Sequence, residues 1–385
     1  MWQLTDGDLG RDKRKVLSVV GARPQFVKEA ALSPCLRERF DEVLVHTGQH
    51  YDVELSRMQF EVLNIPEPDY NLEVGSGSHA TQTAKVLVAL EDVLLAEQPD
   101  LVVIYGDTNS TLAAALAAAK LKIPIAHVEA GPRQHDMTVP EEINRVVADR
   151  LSTLRFAPTD EAVANLAREG ITEGVFMAGD VMYDIFLEAE RKASLKGNML
   201  AEFGLEPGEY VLLTLHRPHN SDDPDALAAI LRGATSTGEK VLFPAHPRTV
   251  GNMERHGLLE EFDSNDAVVM IKPVDYMDMV VFMKNSRVIV TDSGGVNKEA
   301  YFAGKPCICV DFVSAWPQLV DAGWCVVTGS DREKISAELR SFDPSGRERP
   351  AFFGEGRACE RIAETIDEFM SGARREAGAA TEQQG

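Results

Sequence analysis

Short apolar runs recur along the chain, and a polar or ionisable group stops each one at its C-terminal end. Leu101–Asp107 reads LVVIYGD, Ile123–Glu129 reads IPIAHVE, Tyr210–His216 reads YVLLTLH and Arg287–Ser293 reads RVIVTDS. Runs of this kind begin near Val16, Glu42, Leu101, Ile123, Leu154 and Val175, and again near Tyr210, Lys240, Ala267, Arg287, Lys305 and Trp324. Helical patterns fill the intervals at the spacing of βαβ units, which predicts an α/β fold with doubly wound parallel sheets. In such a fold ligands bind outside the carboxyl ends of the strands, so the polar stops mark where the chemistry belongs. Two series of the same kind predict two Rossmann-like halves facing a central cleft. The best candidate for the connection runs from GDVMYD (Gly179–Asp184) through a charged helix to the loop GLEPGEY (Gly204–Tyr210).

Composition supports two domains: 385 residues with 44% hydrophobic content can bury large cores. Lys and Arg number 39 against 61 Asp and Glu, a formal charge of −22. That balance argues against nucleic acid or an anionic membrane as partner, because binding phosphate backbones relies on clustered cations. No stretch approaches the roughly 20 apolar residues of a membrane span, and the N-terminus has no signal-peptide core, so a cytoplasmic enzyme is expected. The five cysteines (Cys35, Cys307, Cys309, Cys325, Cys359) are scattered and read as buried apolar residues, with neither a disulfide framework nor a zinc site indicated.

Asp107 and Glu129 end two successive strands joined by one Ala-rich helix, which places them side by side. Glu141 and Glu142 follow the loop GPRQHDMTVP at the start of a helix reading EEINRVVADRL. Several carboxylates at one site can hold both protonated and ionised forms, because burial and like charge push their pKa values apart. The plainer reading makes Asp107 a helix cap and Glu141 and Glu142 favourable charges at a helix N-terminus. Thr291-Asp292-Ser293-Gly294-Gly295 lies between a buried strand and a helix, a shape that presents backbone N–H groups to phosphate, with Glu299 in the first turns for ribose hydroxyls. An ordinary tight turn would look the same. Gly21-Ala22-Arg23-Pro24 puts a guanidinium after the first strand, without a GxGxxG fingerprint, so no redox cofactor is indicated. His216, Arg217 and His219 follow the first strand of the second half, and His246 with Arg248 the next; each His could equally be a hydrogen-bonded loop residue. No spacing implies a metal site, and no Ser lies in G-x-S-x-G.

Taken together, GARPQFVK (Gly21–Lys28), HTGQHYD (His46–Asp52), YGDTNST (Tyr105–Thr111), HVEAG (His127–Gly131), PEEINR (Pro140–Arg145), GDVMYD, LHRPHN, PAHPRT (Pro244–Thr249) and TDSGGVNKEA (Thr291–Ala300) resemble the UDP-N-acetylglucosamine 2-epimerase family in order and spacing. The resemblance covers about residues 14–372. It implies the GT-B architecture, with UDP-sugar in the cleft and a C-terminal helix returning to the first domain, a junction that FFGEGRACERI (Phe352–Ile362) fits. The domains would then span residues 14–186, completed by 358–373, and 187–357, with 1–13 and 374–385 as mobile ends. The implied chemistry uses neither metal nor redox cofactor. The proton at C2 of the sugar is removed and UDP leaves C1, giving a 2-acetamidoglucal; UDP then adds back with protonation from the opposite face, or water adds and free sugar leaves. The resemblance makes Asp107, Glu129 and Glu141 the acid/base set and places His216 against the diphosphate. It gives Arg23, Lys28, Arg145, Arg217, His246, Ser293, Gly294, Gly295 and Glu299 to substrate binding. A homodimer is also implied.

Three stretches depart from the family pattern. H-R-x-E-N becomes His216-Arg217-Pro218-His219-Asn220, with imidazole in place of a carboxylate. R-D-x-T-E-R-P-E becomes Val310-Asp311-Phe312-Val313-Ser314-Ala315-Trp316-Pro317-Gln318, and G-L-R becomes Gly131-Pro132-Arg133. These changes bear on which sugar is taken more than on fold or reaction type. GSGSHATQT and Gln49-His50-Tyr51-Asp52 lack the residues of the allosteric bacterial subgroup, so activation by UDP-N-acetylglucosamine is not expected. The non-hydrolysing epimerase leads. A hydrolysing epimerase, a GT-B glycosyltransferase and a non-catalytic nucleotide-sugar-binding protein are the alternatives.

Overall fold

The structure is a computed structural model that describes residues 14–49, 66–193 and 199–382. The chain divides into two compact units, Met1–Ile185 with Ala351–Gly385, and Phe186–Pro350. The sequence boundaries fell one residue later at the first crossing and seven later at the second, because residues 351–357 travel with the first unit.

In the first unit the strands Lys15–Val20 (β1), Asp41–His46 (β2), Tyr70–Asn71 (β3), Leu101–Tyr105 (β4), Ile125–Val128 (β5), Leu154–Ala157 (β6) and Val175–Met177 (β7) form one sheet in the order β3-β2-β1-β4-β5-β6-β7. Every neighbouring pair is parallel. A parallel sheet is covered on both faces, which is why its central strands read as unbroken apolar runs. One face packs Phe26, Leu32 and Leu36 with Ile362, Ala363, Ile366 and Met370, the other Leu90 and Leu94 with Ala114, Ala115 and Ala118. The helix Asn109–Lys120 is alanine-rich, a composition with high helix propensity. Its slim side chains let it lie tight on the sheet. Thr108 caps it by accepting the Thr111 N–H, so Asp107 is not its cap.

The last helix, Ala358–Glu382, returns to this unit, and its buried stripe at Ile362, Ile366 and Met370 recurs every fourth residue. The Cys359 N–H donates to the Asp184 carboxylate at 2.8 Å, fixing the start of the helix. The helix is described through Glu382, past residue 373 where the sequence reading closed the domain. Residues 1–13, 383–385 and the His50-Tyr51-Asp52 stretch lie outside the described residues.

The second unit repeats the plan with Tyr210–Thr214 (β8), Lys240–Pro244 (β9), Val268–Ile271 (β10), Val288–Thr291 (β11), Cys307–Cys309 (β12) and Cys325–Val327 (β13), ordered β10-β9-β8-β11-β12-β13. All its pairs are parallel too. Val211, Leu213, Phe243, Val290 and Ile308 from the strands meet Leu227, Ile230 and Ile335 from the helices. The cysteines are free thiols, buried except for the half-buried Cys35. Among the described residues no helix is long and apolar enough to cross a membrane.

Candidate functional site

In each sheet the strand order reverses at the first strand, between β1 and β4 and between β8 and β11. The loops leaving those strands diverge to opposite faces, and a crevice opens at their carboxyl ends. The polar stops in the sequence fall at these two points.

In the first unit, β1 leads through Gly21 into the helix Arg23–Arg39, which Arg23 opens. A Cβ on Gly21 would lie 2.2 Å from both Thr47 Oγ1 and Ser110 Oγ, so only glycine passes beneath that hydroxyl pair. One turn on, Lys28 is buried and its Nζ stands 2.6 Å from Glu129 Oε2. Glu129 follows β5 with φ at +67°, the left-handed region that costs a non-glycine residue about 1–3 kcal/mol and clusters at functional sites.

Asp107 follows Gly106 at the end of β4. Its side chain is 27% exposed and forms an ion pair with Arg145. Burial raises its pKa; Arg145 and Lys28 act to lower it, and Glu129 and Glu141 to raise it, with a net rise. Asp107, Glu129, Glu141, Lys28 and Arg145 therefore form one electrostatic cluster, as the sequence reading expected of its carboxylates.

The helix Pro140–Leu151 separates the two glutamates that the sequence left together. Glu141 is exposed, whereas Glu142 is buried and accepts the N–H groups of Gln134 and His135 at 3.0 Å each, and a bond from Arg145 Nη1 at 2.8 Å. Glu142 thus pins the GPRQHD loop. Arg145, expected to hold the nucleotide, has both terminal nitrogens taken by carboxylates, while its buried Nε has no protein partner.

In the second unit the organising residue is Asp292, which the sequence reading passed over. It is 1% exposed and accepts the N–H groups of His216 at 3.2 Å and Arg217 at 2.9 Å, with Asn220 Nδ2 at 3.3 Å. Burial acts to raise its pKa, but the bonds from His216, Arg217 and Asn220 outweigh that and hold it below the usual carboxylate range. The result is that the HRPHN loop is tied to the end of β11, with the His216 side chain 52% exposed.

Ser293 caps the helix Gly294–Ala303, accepting the Val296 N–H at 3.4 Å, and Gly295 is exposed beside it. A Cβ on Gly294 would come within 3.0 Å of Ala315, and the Trp316 indole donates to the Gly294 carbonyl at 2.8 Å. Glu299 is buried on the same helix next to Lys298, a buried lysine missed in the sequence whose Nζ lies 4.9 Å from the Trp316 ring centre. His246 accepts the Arg248 N–H at 3.2 Å and so caps the helix Pro247–Arg255.

Two of the three departures touch each other. His219 Nε2 lies 3.1 Å from Asp311 Oδ1 and Arg217 Nε 3.5 Å from Asp311 Oδ2, while the His219 and Phe312 rings pack with centres 5.0 Å apart. Phe312 and Val313 stay 74% and 73% exposed. The imidazole at position 219 therefore has a carboxylate partner in Asp311, the acid that the altered loop keeps from the family pattern.

A family model described as UDP-N-acetylglucosamine 2-epimerase matches residues 35–367. The chain belongs to the UDP-N-acetylglucosamine 2-epimerase family. Among relatives in this family, a Methanococcus maripaludis protein named UDP-N-acetylglucosamine 2-epimerase homolog is 45% identical, spanning 91% of this chain and 99% of its own. The UDP-2,3-diacetamido-2,3-dideoxy-D-glucuronate 2-epimerase of Pseudomonas aeruginosa is 42% identical over the same shares of the two chains. The crystal structure of Methanocaldococcus jannaschii UDP-GlcNAc 2-epimerase in complex with UDP-GlcNAc and UDP superposes with a TM-score of 0.78 at 38% identity, over 91% of this chain and 99% of that one. The two parallel-sheet domains are thus the GT-B fold of the 2-epimerase family.

Proposed function

We propose that this chain interconverts the C2 epimers of a UDP-2-acetamido sugar, taking UDP-N-acetylglucosamine to UDP-N-acetylmannosamine. The observation that carries the reading is the first-unit cluster: Asp107 with its proton affinity raised, Glu129 ion-paired to Lys28, and Glu141 close enough to influence Asp107. Two carboxyl groups in different environments suit acid and base work on the two faces of one carbon.

One carboxylate takes the C2 proton, the C1–C2 double bond forms, and the C1–O bond breaks with its electron pair leaving on the β-phosphate of UDP. Re-addition reverses these steps with the proton delivered from the other face. His216, Arg217, Ser293, Gly294 and Gly295 are the groups for the departing diphosphate, offering a cationic side chain and helix-end N–H groups, and Glu299 is the group for the ribose. Arg23, Lys28, Arg145 and His246 complete the binding set, Lys28 and Arg145 acting through the carboxylates that they pair with. The enzyme returns UDP to C1 and so belongs with the non-hydrolysing epimerases.

Proton NMR of products formed from UDP-N-acetylglucosamine tests this: UDP-N-acetylmannosamine supports it, whereas UDP with free N-acetylmannosamine identifies a hydrolysing enzyme. A second substrate reading draws support from the Pseudomonas relative and the change at His219, which pairs with the retained Asp311: a UDP-2,3-diacetamido-2,3-dideoxy-D-glucuronate. Comparing kcat/KM for the two UDP-sugars decides between them.

A further inference from the structure

Behind Glu129 lies a second, buried charge cluster. His127 is fully buried, its Nδ1 2.7 Å from Asp149 Oδ1 and its Nε2 2.7 Å from the Gly106 carbonyl oxygen. Asp149 Oδ2 accepts the Gly131 N–H at 3.1 Å and pairs with Arg133 Nη1 at 2.7 Å. Arg133 in turn holds Glu169 through two bonds, of 2.7 and 2.9 Å. Arg155 Nε donates to the Asp149 carbonyl at 2.6 Å.

Burial acts to raise the Asp149 pKa, but the contacts from His127 and Arg133 win and hold it below the usual carboxylate range. An ionised carboxylate and a carbonyl can only accept. The two ring nitrogens of His127 are thus both engaged, one by the Asp149 carboxylate and one by the Gly106 carbonyl.

Position along the chain gives this cluster its meaning. His127 lies two residues before Glu129 and Gly131 two residues after it, so the Asp149 carboxylate grips both flanks of the left-handed Glu129. The other ring nitrogen reaches Gly106, the residue before Asp107. One carboxylate and one imidazole ring thus join the two backbone segments that carry the acid/base pair. Gly131 leaves little slack, since a Cβ there would lie 2.4 Å from the Ala162 carbonyl oxygen.

We propose that Asp149 and His127 are positioning residues, which fix the separation and orientation of Asp107 and Glu129 without touching the substrate. This rests on the reading of Asp107 and Glu129 as the acid/base pair. Misplacement of catalytic groups by about 1 Å can cost 100-fold in rate.

The test compares Asp149→Ala and Asp149→Asn with wild type in kcat and KM for UDP-N-acetylglucosamine epimerisation, with UDP affinity by calorimetry. Asp149→Ala lowers kcat about 100-fold with KM and UDP affinity little changed. Asp149→Asn recovers to within about tenfold of wild type. Its amide can accept from Gly131 and donate to a neutral His127 whose Nε2–H still reaches Gly106. Folded Asp149→Ala with wild-type kcat would overturn the proposal. Should that variant not fold, ¹⁵N NMR of selectively labelled wild-type and Asp149→Asn proteins, with His127 assigned through His127→Gln, decides instead. His127 ring-nitrogen shifts that differ between wild type and Asp149→Asn support the tether, and shifts that are the same in both proteins overturn it. Absence of epimerisation in the wild type counts against the proposed reaction, while the ring signals still test the tether.

Discussion

Glu29→Gln isolates a single buried proton beneath the first-unit site. Glu29 is fully buried on the helix that carries Lys28, and its Oε2 accepts the Tyr105 hydroxyl at the end of β4. Glu42 has three donors, Ser18 Oγ at 2.7 Å, Arg37 Nε at 2.9 Å and Ser33 Oγ, whereas Glu29 Oε1 is buried without one. Burial first, and the Glu42 charge second, push the Glu29 pKa well above its ordinary value. Glu29 therefore carries the proton of the pair.

The raised folded-state value means that the folded state binds more protons than the unfolded chain. The stability that this proton supplies is fully present below the unfolded-state pKa and is lost as pH rises through the folded one. Within that window the loss is about 1.4 kcal/mol per pH unit. For a unit of this size that corresponds to about 3–6 °C in Tm per pH unit. Gln is neutral at every pH and can still accept from Tyr105. Calorimetric Tm differences between Glu29→Gln and wild type should be near zero around pH 4 and should grow in favour of the variant as pH rises to 8. A difference that does not change with pH would refute the assignment of the proton to Glu29.

Three further outcomes follow from the same contacts. Asp107→Asn removes the carboxyl group whose proton affinity is raised, and epimerisation kcat should fall about 10²- to 10⁴-fold while UDP affinity by calorimetry stays at the wild-type level, the proposed diphosphate and ribose groups belonging to the second unit. Asp292→Asn weakens the bonds that hold the HRPHN loop, and should destabilise by about 1.5–3 kcal/mol at neutral pH. Because the folded pKa of Asp292 is lowered, its stabilisation is present above the unfolded value and lost as pH falls through the folded one, so the Tm gap should close in acid. Ile366→Ala opens a cavity between the last helix and the first sheet, costing about 2–5 kcal/mol in denaturant unfolding of the first unit.

Elements built from continuous apolar runs were legible almost to the residue, because a strand buried on both faces leaves no polar position to blur its ends. Val16, Tyr210 and Lys240 were read within a residue of the observed starts of β1, β8 and β9. The two-residue β3 was not, since Tyr70–Asn71 has no period to detect and is defined only by pairing with Val45 and His46. The carboxylates at strand ends were also legible, and the adjacency of β4 and β5 brings Asp107 and Glu129 into one cluster as expected.

What stayed hidden was the division of labour among like residues. Glu141 and Glu142 are neighbours in sequence, but helix geometry turns one to solvent and the other onto the backbone of Gln134 and His135. Asp149 looks like any polar residue of an amphipathic helix, and its hold on both flanks of Glu129 exists only once β5 and that helix have packed. Asp292 sits within the strand–glycine–helix motif, yet its contacts fix the His216 loop, across a separation of 76 residues. The pairing of the changed His219 with the retained Asp311 likewise appears only when two distant loops meet.

Abstraction of the C2 proton is the step on which the proposed reaction rests most directly. Wild-type enzyme incubated with UDP-N-acetylglucosamine in D₂O, with products followed by NMR, should yield UDP-N-acetylmannosamine carrying deuterium at C2. Epimer formed with its C2 hydrogen retained would contradict the account.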